Sequence, residues 1–203
     1  MAAADDYLAL VDWRRQVADM YREIRARLGS SPIDAHAYWR RRRDELFRNH
    51  PQSALSADGR AQFAGLHYFD YDPRLAFTAP IRPLPEVRCD VVASDGRIVP
   101  MLRVGAVDLP IGTLEILWID SYGGGLFLPF ADATSAKTTY GGGRYVLDSA
   151  KSADLGVRGD ALVLDFNFAY CPSCAYDPKW TCPLAPPANR LAAAVEAGER
   201  HRG

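Results

Sequence analysis

Residues 87–104 decide the fold class, and their sequence is Val-Arg-Cys-Asp-Val-Val-Ala-Ser-Asp-Gly-Arg-Ile-Val-Pro-Met-Leu-Arg-Val. Ser94-Asp95-Gly96-Arg97 separates two apolar, largely alternating runs, Val87–Ala93 and Ile98–Val104. Such runs are typical of β-strands. Asp-Gly readily adopts the positive φ angles of a type I′ turn. The stretch therefore predicts an antiparallel hairpin.

The same alternation, broken by turn residues, extends on both sides of this hairpin over residues 65–170. No helical pattern of 10–15 residues separates the apolar runs, which disfavours a parallel α/β sheet. We therefore predict one antiparallel β-barrel or sandwich. Its strands are predicted at Leu66–Phe69, Leu75–Thr78, Val87–Ala93, Ile98–Val104, Gly112–Ile119, Leu126–Ala131, Arg144–Leu147 and Ala161–Phe166.

The N-terminal quarter of the chain has helical spacing instead. Apolar residues recur every three or four positions over residues 5–28, which predicts an amphipathic helix. Ser31-Pro32 is typical of a helix start, and a second helix is predicted over Ile33–Arg48. The fold class is thus α+β and mainly β, with a helical segment at 1–50 and an antiparallel β domain at 51–203 in one folding unit.

Charge and hydropathy exclude several classes of protein. The chain has 24 basic and 25 acidic residues and a net charge of −1, whereas a general nucleic-acid binder is usually basic. Its longest stretches without a charged residue have 11 residues, too few for a membrane-spanning helix. The first 30 residues lack the basic start and unbroken apolar run of a secretory signal, so we expect a cytoplasmic protein.

Two further features concern partners. The apolar stripe of the helix over residues 5–28 predicts either a homodimer contact or packing against the β domain. The run Arg40–Arg43 in the second helix is either an anion or RNA patch or a solvated face, because four consecutive helical positions point in four directions.

Three cysteines lie in the Pro-rich segment 170–190, which predicts an irregular loop rather than a central strand. Cys171, Cys174 and Cys182 are too few for a structural zinc site unless His201 or Cys89 completes it. A redox dithiol, a catalytic thiol, a conditional Cys174–Cys182 bridge and buried inert thiols are the other interpretations.

A glycine-rich segment, Thr138-Thr-Tyr-Gly-Gly-Gly-Arg-Tyr145, precedes a predicted strand. Glycine backbone N–H groups can surround an anion, and Arg144 could hold a carboxylate or phosphate by two contacts. The spacing of a P-loop is absent. The segment is therefore either an anion site or a wide hairpin loop.

Polar residues follow two predicted strands directly. Asp165 and Asn167 end the apolar run 161–164, and Asp132 follows the run 126–131. A buried carboxylate at a strand end can act as a general acid or base, or it can cap a turn. The four histidines have no partner at triad spacing, which disfavours a Ser-His-Asp hydrolase.

The residues that bear this chemistry belong to motifs that resemble a known family. The motifs are Trp39–Phe47, His50-Pro-Gln-Ser53, Phe63–Phe69, Phe130-Ala-Asp-Ala-Thr-Ser135, Thr139–Tyr145, Asp165-Phe-Asn-Phe-Ala-Tyr170, Cys174-Ala-Tyr176, Thr181–Pro187, Asn189-Arg-Leu191 and Glu196-Ala-Gly-Glu199. Together they resemble the bacterial and archaeal family called domain of unknown function 1684, over about residues 35–200.

The resemblance implies a set of pattern residues but no activity. The set is Asp132, Thr139, Tyr140, Arg144, Asp165, Asn167, Tyr170, Cys174, Cys182, Asn189 and Glu199. The family usually has Asn-Pro-Pro-Cys where this chain has Cys171-Pro-Ser-Cys174, so the resemblance makes Cys171 an extra thiol and leaves Cys174 and Cys182 as the pair.

These residues support three hypotheses. The first is an enzyme acting on a small anionic molecule, with Asp165, Cys174, Glu199 and Tyr140 as catalytic residues. Its ligand-binding residues are Arg144, Thr139, Asn167, Asp132 and Asn189. The second is a β-barrel that binds a small ligand without catalysis, and the third is a buried polar network that fixes the C-terminal segment. The sequence indicates no particular cofactor, and we assign no metal ligand.

Overall fold

Two long helices open the chain in the computed structural model, which describes residues 4–201. The first, α1 (Ala4–Leu28), is followed by α2 (Pro32–Asn49), and a short α3 (Ala57–Ala61) precedes the strands. Pro32 occupies the first turn of α2, as predicted. Both predicted helices are thus confirmed to within about two residues.

Ten strands form three antiparallel sheets in the part of the chain that the structure describes. The five-stranded sheet has the order β3 (Arg82–Val92), β4 (Ile98–Leu109), β5 (Gly112–Ile119), β6 (Leu126–Phe130) and β7 (Arg144–Asp148). The three-stranded sheet has the order β2 (Ala76–Pro80), β9 (Ala161–Asp165) and β8 (Val157–Arg158). The last sheet pairs β1 (His67–Tyr68) with β10 (Glu199–Arg200). Consecutive strands are neighbours throughout the five-stranded sheet, so it is a simple meander.

The eight predicted strands are all present, with shifts at their ends. β3 is longer than predicted and includes Pro83 and Pro85, which is compatible with its position at the edge of the sheet. The mainly β fold and the antiparallel pairing are confirmed. Within residues 4–201 no sheet closes into a barrel, because β3 and β7 do not pair with each other.

The turn between β3 and β4 differs from the predicted type I′ turn. The Gly96 N–H donates to the Ala93 carbonyl over 2.9 Å, and the Ala93 N–H donates to the Arg97 carbonyl. Gly96 has a φ of +83°, whereas Asp95 does not have a positive φ. A single positive φ is typical of a three-residue loop, in which a type I turn is followed by a left-handed glycine. Asp95 thus avoids the steric penalty of that conformation.

The two larger sheets share one hydrophobic core, and the helices share a second with the β region. The first includes Leu114, Ile116, Phe130, Leu164 and Phe166, all fully buried. The second joins α1 and α2 to β9 and to the segments beside it. Removing apolar surface of this kind from water is the main favourable contribution to folding.

The apolar stripe of α1 packs within the chain. Its buried residues are Met20, Tyr21, Ile24 and Leu28. Tyr7, Leu8 and Val11 remain exposed near the start of the helix, so a homodimer contact through residues 5–28 would have to use that end. No described helix combines the length and the apolar composition needed to cross a membrane.

The C-terminal segment is mostly irregular. Residues 171–190 contain two short 3-10 turns between loops, as the Pro-rich sequence predicts. Residues 191–198 form neither helix nor strand, and after them Glu199 and Arg200 join a sheet. Single backbone hydrogen bonds, such as that from the Leu191 N–H to the Ala131 carbonyl, and side-chain contacts hold this segment in place of a regular ladder.

His36 gives the second core a pH dependence. Its ring is 3% exposed and lies 5.6 Å from the Trp39 ring and 5.5 Å from the Phe168 ring. Burial lowers the pKa of His36 to about 4, and the charge of Arg40 acts in the same direction. The unfolded chain binds the proton first, so the free energy of unfolding should fall by about 3 kcal/mol as the pH falls from about 6.5 to about 4.

His36→Phe tests this dependence, because it keeps an aromatic ring in the core and removes the titrating group. Urea denaturation across pH 4–7 should show a flatter pH dependence for His36→Phe than for the unsubstituted protein. His67→Phe, at an exposed position, is the control and should leave the dependence unchanged. Equal slopes for all three proteins would contradict the assignment.

Candidate functional site

Arg144 lies at the start of β7, with its side chain 1% exposed. Its guanidinium donates to three backbone carbonyls of the C-terminal segment, those of Val195, Ala197 and Glu199. It also lies 3.4 Å from the carboxylate of Asp132. We call Arg144, Asp132 and the backbone of residues 195–199 the Arg144 network. All four contacts use the terminal nitrogens Nη1 and Nη2 of Arg144, and its buried Nε has no partner in the described chain.

Asp132 completes the network from the other side. Its carboxylate accepts from the Val195 N–H over 2.6 Å and from the Thr134 hydroxyl over 2.9 Å. The Thr134 hydroxyl lies 2.9 Å from that of Thr139, which is also buried. A buried carboxylate is stable only when it is paired and hydrogen-bonded. Asp132 therefore holds the C-terminal segment directly, and Thr139 supports Asp132 through the Thr134 hydroxyl.

Glu199 joins the Arg144 network to α2. Its carboxylate lies 2.6 Å from the Arg43 guanidinium, accepts from the Cys171 N–H over 2.8 Å and accepts from the Tyr176 hydroxyl. Burial disfavours the charge of Arg43, but the Glu199 carboxylate raises its pKa well above the usual value. The pKa of Arg144 is lowered instead, because burial outweighs its longer contact with Asp132.

Asp165 and Asn167 form a separate group at the end of β9. The Asp165 carboxylate accepts from the Tyr71 hydroxyl over 3.0 Å and from the Asn167 N–H over 2.9 Å. The Asn167 side-chain oxygen accepts from the Asp72 N–H, and its amide nitrogen donates to the Asp72 carbonyl. Burial raises the pKa of Asp165 despite these donors. The group caps the strand and fixes residues 71–72.

Asn189 binds the five-stranded sheet. Its side-chain oxygen accepts from the Glu115 N–H over 2.8 Å, and its amide nitrogen donates to the carbonyls of Glu115 and Pro129. All of these groups belong to the backbone of β5 and β6. Asn189 therefore attaches the last loop to the sheet.

The glycine-rich segment forms a turn whose amides are partly used within the chain. Gly143 has a φ of +91°, and a Cβ atom there would lie 2.5 Å from the Phe130 carbonyl oxygen. Its N–H donates to the Tyr140 carbonyl, and the Gly142 carbonyl accepts from Ala185. The close approach to β6 explains the glycine at 143.

Tyr140, Cys174 and Cys182 form another group. The Tyr140 hydroxyl lies 3.6 Å from the Cys174 sulfur, and the Cys174 N–H donates to the Cys182 sulfur over 3.3 Å. A hydrogen bond from Cys182, and then one from Tyr140, lowers the pKa of Cys174 to about 6. Burial raises the pKa of Cys171, and all four cysteines are free thiols.

A cavity of about 240 Å³ lies between α1, α2 and the cysteine-bearing loop. Arg43, Cys171 and Cys182 contribute to its lining, whereas Arg144 and Asp165 do not. In residues 4–201 no group of three or more His, Cys, Asp or Glu side chains is arranged to hold a metal ion.

The predicted site residues thus fall into several groups rather than around one hollow. Arg144, Asp132, Thr139 and Glu199 belong to connected networks, while Asp165 with Asn167, and Asn189, have their own backbone partners. Cys171 and Cys182 line the cavity, whereas the predicted site residues Arg144, Asp165 and Cys174 do not contribute to its lining.

Arg43 is the residue that sequence reasoning missed. It was placed in a run of arginines with no preferred member, yet it is buried with Trp39, Leu46 and Phe47 on one face of α2. The spacing of 39, 43, 46 and 47 is the helical pattern of that face, and it could have identified Arg43. Arg40 lies instead over the Tyr68 ring and Arg42 pairs with Glu45, so the run does point in different directions.

Removing Arg144 should destabilise the fold. Arg144→Ala leaves the Asp132 carboxylate and three carbonyls without their partner, and breaking a buried pair in this way costs about 3–5 kcal/mol. The urea midpoint measured at pH 7 should fall accordingly. Arg82→Ala removes the exposed Arg82–Asp108 pair and is the control, with little expected change. A midpoint for Arg144→Ala equal to that of the control would show that the network contributes no stability.

Comparison with known proteins gives the family. Residues 61–200 match the family described as "Protein of unknown function (DUF1684)". No curated protein matches the chain. The solution NMR structure of an uncharacterized protein from Haloarcula marismortui is 37% identical, covers 79% of this chain and 89% of that chain, and has a TM-score of 0.55. The family match over residues 61–200 includes motif residues on which the resemblance was based, among them Asp132, Arg144, Asn189 and Glu199. The chain therefore belongs to the DUF1684 family.

Proposed function

We propose that the protein binds a small anion with an apolar part in the cavity beneath α1. The observation that carries this proposal is the lining of the cavity, which combines aromatic rings and cationic side chains without an acidic one among the described residues. A concave, mostly apolar site with a few polar groups is the usual form of a small-molecule site.

The apolar part of the lining comes from three regions of the fold. α1 contributes Trp13, α2 contributes Phe47, and the sheet and loop contribute Tyr145, Tyr170 and Trp180. The Trp13 and Phe47 rings lie 6.4 Å apart, and Tyr145 and Tyr170 lie 5.6 Å apart. These are tilted and edge-to-face ring pairs, and they give the lining its apolar surface.

The charged part of the lining favours an anion. Arg14, Arg43 and Lys151 contribute, and the Lys151 side chain is 60% exposed. Arg43 already pairs with Glu199, and Lys151 lies 3.4 Å from the Asp148 carboxylate, so Arg14 is the cation that we assign to a ligand. The volume of about 240 Å³ lies below the range of about 300–1,000 Å³ for drug-sized ligands, which favours a small metabolite.

Binding is better supported than catalysis. Of the four proposed catalytic residues, Asp165 and Glu199 are hydrogen-bonded within the chain, and none of the four lines the cavity. The free thiols fit a reducing compartment, and on that ground we place the protein in the cytoplasm.

Titration with benzoate and phenyl phosphate, followed by protein NMR or calorimetry, tests the proposal. Ligands of this size should bind with a Kd on the order of 1 mM, and neutral benzyl alcohol should bind more weakly. Val17→Trp fills the cavity from α1 and should abolish binding, whereas Val11→Trp, on the same helix outside the lining, should not.

A charge reversal separates electrostatic attraction at the cavity from a general effect of net charge. Arg14→Glu should weaken benzoate binding about fivefold, the equivalent of roughly 1 kcal/mol for an exposed charge. Arg15→Glu changes the net charge equally but lies outside the lining, so binding should be nearly unchanged. Equal losses in both variants, or no binding of either anion, would contradict the proposal.

A further inference from the structure

Cys174 and Cys182 differ from the other two cysteines in having each other as partners. The Cys174 N–H donates to the Cys182 sulfur over 3.3 Å, so the two side chains are adjacent. Their sulfurs are therefore in reach of one another in the folded chain. Cys171 and Cys89 have no such thiol partner: Cys171 lies beside Glu199 and Arg144, and Cys89 beside Glu115 and Arg103.

The backbone holds the two thiols in different ways. Cys182 is fixed to the β3–β4 turn, because its N–H donates to the Ser94 hydroxyl and its carbonyl accepts from the Ser94 N–H. It is 6% exposed. Cys174 lies in a short 3-10 turn, Ser173–Ala175, and is only half-buried. A reagent from solvent therefore meets Cys174 first.

The Cys174 sulfur also has a hydrogen-bond partner that favours its anion. The Tyr140 hydroxyl lies 3.6 Å from it. Donors around a sulfur stabilise the thiolate, which is the nucleophilic form. The lowered pKa of Cys174 and the raised pKa of Cys182 agree with this arrangement, with the proton held on Cys182.

We propose that Cys174 and Cys182 form a reactive thiol pair that is oxidised by hydroperoxides to an intrachain disulfide. The Cys174 thiolate attacks the terminal oxygen of the hydroperoxide, the O–O bond breaks, and the alkoxide leaves and takes a proton from water to become an alcohol. Cys174 is then a sulfenic acid.

The second step closes the disulfide. The Cys182 sulfur loses its proton and attacks the Cys174 sulfur, the S–O bond breaks, and hydroxide leaves with that proton as water. The two thiols lose two electrons and the hydroperoxide gains them. A dithiol reverses the reaction by thiol–disulfide exchange, becoming a disulfide itself.

Mass spectrometry of the full-length protein tests the pair. The reduced protein, treated with one equivalent of hydrogen peroxide, should lose about 2 Da and regain them with dithiothreitol, and peptide mapping should find Cys174 linked to Cys182. In Cys182→Ser the sulfenic acid should persist and be trapped by dimedone at Cys174. Oxidation of Cys89 or Cys171 in place of this linkage would overturn the proposal.

Alkylation by iodoacetamide at a series of pH values gives a readout that packing alone would not change. Cys174 should react with a midpoint near pH 6, and at pH 7 several-fold faster than Cys89, whose pKa is raised by burial. Tyr140→Phe should move the Cys174 midpoint upward and leave Cys89 unchanged. A midpoint for Cys174 at the ordinary thiol value of about 8.5 would overturn the proposal.

Discussion

The C-terminal segment depends on two buried guanidinium groups, those of Arg144 and Arg43. Residues 191–198 have no regular secondary structure, yet Val195, Ala197 and Glu199 are buried. A buried backbone without a ladder needs other partners for its carbonyls. Arg144 donates to three of these carbonyls. Arg43 pairs with the buried carboxylate of Glu199, at the end of the segment.

This constraint also shapes the cavity. Arg43 belongs both to the ion pair with Glu199 and to the cavity lining, and the Glu199 carboxylate holds the N–H of Cys171, a second lining residue. The conformation of the loop at 171–182 therefore depends on the position of Glu199. Since β10 places Glu199 against β1, the strand pairing at the chain end helps to define one wall of the cavity.

The sequence predicts the elements of this fold better than their contacts. Both helices and the eight strands follow from local periodicity, because each element buries one face and that face leaves a repeating apolar pattern in its own residues. The turn at 94–97 was given the wrong type, since Asp-Gly fits both a type I′ turn and a left-handed glycine after a type I turn. The backbone carbonyls that accept from Arg144 lie 51–55 residues away along the chain, and no local pattern identifies them.

The same reasoning explains why a structural network resembles an active site in sequence. Catalysis and the fixing of a buried backbone both require charged and amide side chains with few solvent contacts. A catalytic site differs from a structural network in whether its hydrogen-bond donors and acceptors are already paired within the chain. Asn189 uses both ends of its amide on the sheet backbone, and Arg144 uses both terminal nitrogens on the C-terminal segment. The Cys174 sulfur is half-buried and its contacts are with the Tyr140 hydroxyl and Cys182, so it is the predicted site residue whose chemistry remains available to a reagent.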